Sequence, residues 1–242
     1  MFVSQNINIT NENNMSLMAR YPDNYFDLAI VDPPYGINAP NQPMGSSPNK
    51  TNNIKYPAIS TADRLRKGRL NSGSGHMKNS VLVNSDLSWD IVPDQSYFDE
   101  LFRVSKNQII WGGNYFNLPP TRGIAIWDKR QPWDNFSQVE LAWTSFDVPA
   151  KLFSMSNTGG KNHEKKIHPT QKPVELYKWL LSKYAKKGNK ILDTHLGSGS
   201  SAIACFDYGY DLTACELNKN YYIDAIRRFK LHFSNNQQLF TV

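Results

Sequence analysis

Lys190-Ile191-Leu192-Asp193-Thr194-His195-Leu196-Gly197-Ser198-Gly199-Ser200 runs from a short apolar strand through a glycine turn into a helix. Glycines at such a turn let the backbone pass close to a ligand. A helix over 200–208, a strand over 211–216 and a helix over 219–232 follow. Glu216 ends the second strand, 23 residues after Asp193. An acid at that place can bind both hydroxyls of a ribose, as in nucleotide-binding α/β folds. The spacing is not that of the dinucleotide fingerprint, because the acid precedes the glycines and no third glycine opens the helix. A phosphate-binding loop is excluded as well, since no Gly-Lys-Ser/Thr follows.

The same alternation extends upstream. Ile7-Asn8-Ile9-Thr10, residues 26–31, Gln108–Trp111, Ile124–Trp127 and Val139–Trp143 read as strands. Residues 13–21 and a segment beginning near Ser96 read as helices. Pro173 to Ala185 is predicted helical, with proline at its start and Leu176, Leu180 and Leu181 on one face. Strands alternating with helices predict a parallel, doubly wound sheet in a single domain over 1–242. Residues 38–80 read as a long loop-like insertion, and 147–167 as a second, shorter loop region.

Composition narrows the class. Of the 242 residues 40% are hydrophobic and 20% charged, ordinary for a globular protein. No apolar run approaches the ~20 residues of a membrane span. The start, Met1-Phe2-Val3-Ser4-Gln5, lacks the features of a signal peptide. Two cysteines, Cys205 and Cys215, make no disulfide framework and point to a reducing, cytoplasmic setting. No Cys/His cluster has metal-ligand spacing. The net charge of +6 is segregated: residues 38–80 contribute +6 and residues 161–190 contribute +7, so the remainder sums to −7. Such segregation fits a surface facing a polyanion, although two solvated loops would look the same.

A second motif follows the apolar run Leu28-Ala29-Ile30-Val31: Asp32-Pro33-Pro34-Tyr35. The prolines fix φ and remove two backbone donors, so the turn is stiff and rich in acceptors. A carboxylate and a carbonyl can together accept hydrogen bonds from one amino group, and the tyrosine ring can stack on the flat molecule that carries it. The constellation suits chemistry on the exocyclic amine of a base.

With both motifs in place, the chain resembles the DNA amino-methyltransferases that use S-adenosylmethionine (SAM). The order, Asp-Pro-Pro-Tyr first and the glycine loop late, is similar to that of the β class, a circular permutation of the Rossmann-like methyltransferase fold. His168-Pro169-Thr170-Gln171-Lys172-Pro173 is another β-class signature. Trp111-Gly112-Gly113-Asn114-Tyr115-Phe116 and Leu141-Ala142-Trp143-Thr144-Ser145-Phe146 resemble segments of small phage or prophage adenine methyltransferases. The likeness runs from about residue 7 to about 232. Two departures stand out: Thr194-His195 replaces the family's Pro-Phe, and Asn13 replaces an Asp that binds the SAM adenine.

The resemblance implies N6-methylation of adenine in double-stranded DNA, with the base flipped out of the helix. Asp32, Pro33, Pro34 and Tyr35 would be catalytic. Asp193, Gly197, Ser198 and Gly199 would hold the methionine end of SAM, Glu216 its ribose, Lys172 or Thr170 its carboxylate, and Asn13 the adenine. No metal is implied. Arg64, Arg66, Lys67 and Arg69 in the insertion, with the short segment 147–167, would face DNA, and most such contacts go to phosphate. The resemblance also allows a homodimer and a cognate restriction endonuclease. Other readings are an N4-cytosine enzyme of the same fold, in which Ser more often replaces the aspartate, or a catalytically silent DNA-binding relative. An RNA or protein-glutamine methyltransferase fits less well.

Overall fold

Leu28–Val31, here β3, is buried at every position, because both faces of the strand are covered. Successive side chains of a strand point to opposite faces. Leu28 and Ile30 accordingly join one hydrophobic cluster, and Ala29 and Val31 join another. The computed structural model describes residues 2–4, 7–37, 90–130, 137–156, 166–168 and 170–238. The cluster Arg64, Arg66, Lys67 and Arg69 lies outside the described residues, as do residues 157–165 of the second candidate DNA-facing segment.

Among the described residues one sheet is formed by β1 (Phe2–Ser4), β2 (Ile7–Asn11), β3, β4 (Gln108–Trp111), β5 (Ile124–Asp128), β6 (Val139–Thr144), β7 (Lys151–Ser154), β8 (Lys190–Asp193) and β9 (Asp211–Glu216). Their spatial order is β1-β2-β9-β8-β3-β4-β6-β5-β7. The run from β2 to β4 is parallel throughout. β6 is antiparallel to both its neighbours, and β1 is antiparallel to β2. Helices α1 (Asn14–Met18) and α2 (Gln95–Val104) cover one face through Leu17, Met18, Tyr97, Phe98, Leu101 and Val104. Helices α3 (Val174–Tyr184), α4 (Ser200–Tyr208) and α5 (Lys219–Gln238) cover the other. The fold is thus the doubly wound, mostly parallel α/β arrangement that the alternation predicts.

Three segments differ from the sequence reading. α1 is shorter than 13–21, because Asn13 caps its start and Pro22 follows shortly after its end. α5 continues to Gln238 rather than stopping near 232. The region 147–167 is not all loop: β7 pairs in parallel with β5, from Ala125↔Lys151 to Asp128↔Ser154. It is a four-residue edge strand with Leu152 exposed, and only the pairing identifies it.

β3, β8 and β9 are adjacent in the sheet and run the same way, so Val31, Asp193 and Glu216 end on one edge. Ligands of open α/β sheets bind beyond that carboxyl edge.

Candidate active site

The chain leaves β3 into Asp32-Pro33-Pro34-Tyr35 and folds back on itself. The Tyr35 hydroxyl donates to Asp32 Oδ1 at 2.7 Å. Gly112, just after β4, allows this return: a Cβ there would lie 2.2 Å from Tyr35 Cε1, and its φ is +68°. The turn that follows brings Tyr115 onto Tyr35, with ring centroids 5.1 Å apart and planes 19° from parallel. Tyr115 is 46% exposed, so this pair forms an aromatic wall open to solvent beside the carboxylate.

The other carboxylate oxygen, Asp32 Oδ2, accepts from Lys172 Nζ at 2.5 Å. Lys172 is 4% exposed, and its ammonium also lies 3.0 Å from Glu140 Oε2 and 3.2 Å from the Tyr35 hydroxyl. It sits 5.2 Å from the centre of the Trp111 ring as well. Glu140 Oε1 in turn lies 2.6 Å from Lys129 Nζ, and Lys129 is buried. Four charges of alternating sign therefore run Lys129–Glu140–Lys172–Asp32. Burial opposes ionisation of Glu140, but Lys172 and Lys129 outweigh it and hold the carboxyl down at about 2. Burial likewise opposes the charge on Lys172, and the carboxylates of Asp32 and Glu140 reverse that, raising it above the usual lysine value.

The glycine loop is held differently. Asp193 accepts from Ser201 Oγ at 2.5 Å and from the His195 N–H at 3.0 Å. Burial pushes its carboxyl up to about 7, against those two hydrogen bonds. Glu216 accepts from the N–H groups of Gly197 at 2.9 Å and Asn218 at 2.8 Å, and burial raises its pKa also. Gly197 has φ +54°, and a Cβ there would meet nothing nearer than the His168 ring at 3.8 Å. Ser198 is buried, and Gly199 is the residue from which α4 starts. Arg228, a buried residue of α5, donates to the Ser198 carbonyl at 2.8 Å and to Ser200 Oγ at 2.9 Å, fixing the loop from beneath.

The expected site residues divide into three groups. Asp32, Pro33, Pro34 and Tyr35 stand at the end of β3, and Asp193, Gly197, Ser198, Gly199 and Glu216 stand on the same sheet edge. Lys172 departs from the expected carboxylate contact: its ammonium is engaged by Asp32 and Glu140, and only its backbone carbonyl meets the loop helix, accepting from Ser200 Oγ at 2.7 Å. Thr170 is exposed, with its hydroxyl 3.2 Å from His168 Nδ1. Asn13 Oδ1 accepts from the Met15 N–H at 2.8 Å, so its oxygen is committed to capping α1. Next to it, Asn14 Nδ2 reaches His195 Nε2 at 3.2 Å. An amide N–H can only donate, so that ring nitrogen accepts and the proton is assigned to Nδ1, facing Thr194 Oγ1 at 3.0 Å. Burial lowers the His195 pKa to about 4 and that of His168 to about 3.

Sequence reasoning missed Glu140, Lys129, Tyr115 and Arg228. A usable signal existed for Glu140, a lone acid inside the apolar strand Val139-Glu140-Leu141-Ala142-Trp143. Of the tryptophans that end strands, Trp111 and Trp127 are buried and Trp143 is half-buried.

A family model described as DNA methylase, N6_N4_Mtase, matches residues 110–227. Type II methyltransferases are similar along most of the chain. M2.MboI of Moraxella bovis is 26% identical over 95% of this chain and 92% of its own. M.BglII of Bacillus subtilis is 23% identical over 91% of this chain and 68% of its own. Among solved structures, the PvuII DNA methyltransferase (cytosine-N4-specific) superposes with a TM-score of 0.56 at 11% identity, covering 94% of this chain and 87% of that one. The M1.HpyAVI–SAM complex does so at 0.52 and 16% identity, covering 92% and 98%.

Proposed function

We propose, from the premise that the chain is a DNA amino-methyltransferase in family and fold, that it methylates the N6 amino group of adenine in DNA. One observation carries the choice of adenine: the acceptor at the head of the proline turn is an aspartate, Asp32, where the N4-cytosine enzymes more often have serine.

The donor site fits SAM. Asp193 and Glu216 are buried acids that, among the described residues, accept hydrogen bonds only from hydroxyl and backbone N–H groups. A cationic ligand would relieve the cost of their burial. Asp193, Gly197, Ser198 and Gly199 would hold the methionine end and Glu216 the ribose. When bound, SAM supplies an electrophilic methyl group on a sulfonium.

The protein's own part is positioning and electrostatics. The adenine amino nitrogen is a poor nucleophile, because its lone pair is delocalised into the ring. Hydrogen bonds from that amino group to Asp32 and the Pro33 carbonyl favour a pyramidal nitrogen with a localised pair. Tyr35 is the stacking partner for the flipped base, and Tyr115, already stacked against one face of its ring, is the exposed member of the pair. Arg64, Arg66, Lys67 and Arg69 bind the phosphates of double-stranded DNA. Work in the cytoplasm, alongside a cognate endonuclease or as a dimer, is compatible with this role.

The test is mass spectrometry of nucleosides from unmethylated DNA incubated with the protein and SAM. N6-methyladenine is expected. N4-methylcytosine would overturn the choice of base, and no methylated base would favour the silent relative. Asp32→Ala should cut methyl transfer by about 10²–10³-fold or more, the scale seen when one transition-state hydrogen-bonding group is removed, while SAM binding persists.

A further inference from the structure

We infer that Glu140 is a positioning residue of the amine site: by sharing the Lys172 ammonium with Asp32, it keeps the Asp32 carboxylate available to the target amino group. The inference rests on the reading of Asp32 as the acceptor of that group.

Glu140 reaches the site from β6, a strand that carries none of the expected site residues. Lys172 Nζ donates hydrogen bonds to Asp32 Oδ2 at 2.5 Å and to the Tyr35 hydroxyl at 3.2 Å, and forms an ion pair without hydrogen-bond geometry with Glu140 Oε2 at 3.0 Å. The ammonium is thus divided between two carboxylates rather than committed to one. Lys129 on the far oxygen of Glu140 balances the set, so the four charges sum to zero. Lys166 is a third cation in the field of Glu140.

Neutralising Glu140 changes two things at Asp32. Lys172 loses its second anion and is held by Asp32 alone, so the carboxylate shares more of its charge with the ammonium and less with the amino group. The surplus positive charge also stays beside a nitrogen that itself becomes positive as the methyl arrives, and like charge there opposes the transition state. The glycine loop meets Lys172 only through the lysine's backbone carbonyl, and its carboxylates are held by Ser201, His195 and Asn218, so neither effect acts on it through a side chain.

The experiment measures transfer of labelled methyl from SAM to unmethylated bacterial genomic DNA, with SAM affinity by calorimetry and melting temperature recorded for each protein. Glu140→Gln should lower kcat on the order of 10²-fold, the scale of a small misplacement of reacting groups, with SAM Kd and KM within about twofold. The double variant Lys129→Met/Glu140→Gln removes one charge of each sign, and should recover about tenfold or more of the lost kcat as coupled sites do. An unchanged kcat in Glu140→Gln overturns the inference. So does a rise in SAM Kd parallel to the loss of rate, or a fall in melting temperature that accounts for it, because a merely structural role predicts those; no recovery in the double variant also overturns it, because the surplus charge would then not be the cause. A wild-type protein that labels no DNA overturns the reading of the function and this inference with it, whereas an active wild type with an unaffected Glu140→Gln removes the inference alone.

Discussion

Two pairs of acids, one half-buried and one buried, stand near one edge of the same sheet, and the protein treats them in opposite ways. Asp32 and Glu140 are matched by Lys172 and Lys129, and the lysines hold Glu140 well below the usual carboxylate range. Asp193 and Glu216 receive only neutral donors among the described residues, and burial pushes both upward. A charge-balanced pair is complete before any ligand arrives and can act as a preorganised acceptor. A pair buried without a counter-charge is incomplete until a cation reaches it. The first arrangement suits a neutral amine that turns positive only during reaction. The second suits a donor that carries positive charge from the start.

Lys172→Met is the severest way to break this contrast. It leaves Asp32 without its cation and Glu140 with only Lys129. Removing one partner of a buried pair should cost about 3–5 kcal/mol, and thermal denaturation should show a melting temperature lower by about 10 °C or more. A melting temperature at the wild-type value would mean that the four charges are not coupled. On the donor side, Glu216→Gln keeps the shape but removes the charge. SAM should then bind about 10–100-fold more weakly in calorimetry, as expected for a lost hydrogen bond to a charged group, while kcat at saturating SAM changes by less than about twofold. If kcat fell and affinity held, the two pairs would not divide acceptor from donor.

The gentlest perturbation is pH. Asp193 in the folded protein titrates at about 7 against 3.8 for an ordinary aspartate. The folded state therefore holds this proton more tightly than the unfolded chain, and stability falls as pH rises through 7. Asp193→Asn removes that loss. Without SAM, the variant's advantage over wild type should grow by on the order of 1–2 kcal/mol between pH 6 and pH 8.5. Parallel melting curves across that interval would show that burial does not raise the Asp193 pKa.

Legibility in the sequence followed the range of the interactions. α4 over 200–208 and β9 over 211–216 were readable to the residue, because a glycine turn, apolar runs and an acid at the strand end mark them locally. β7 was not, since Lys151-Leu152-Phe153-Ser154 has no marker of its own and exists by pairing with β5. The same distinction holds in the site. Asp32-Pro33-Pro34-Tyr35 and Asp193–Gly199 are contiguous, and their stiffness or openness is a property of the residues themselves. Lys172, which the family resemblance offered with Thr170 as a ligand for SAM, has its ammonium turned toward Asp32, 140 positions away in the chain.

Chemistry carried by adjacent residues was therefore settled in the linear chain: the alternation of strands and helices, the acceptor turn, the glycine loop and the acid that ends β9. The balance of charge was not. It depends on β6 lying antiparallel beside β4, which brings Glu140 and Lys129 to a lysine and an aspartate from two other parts of the chain. A Coulomb interaction depends on separation in space and on the medium between the charges, and neither quantity exists until the sheet has closed around them.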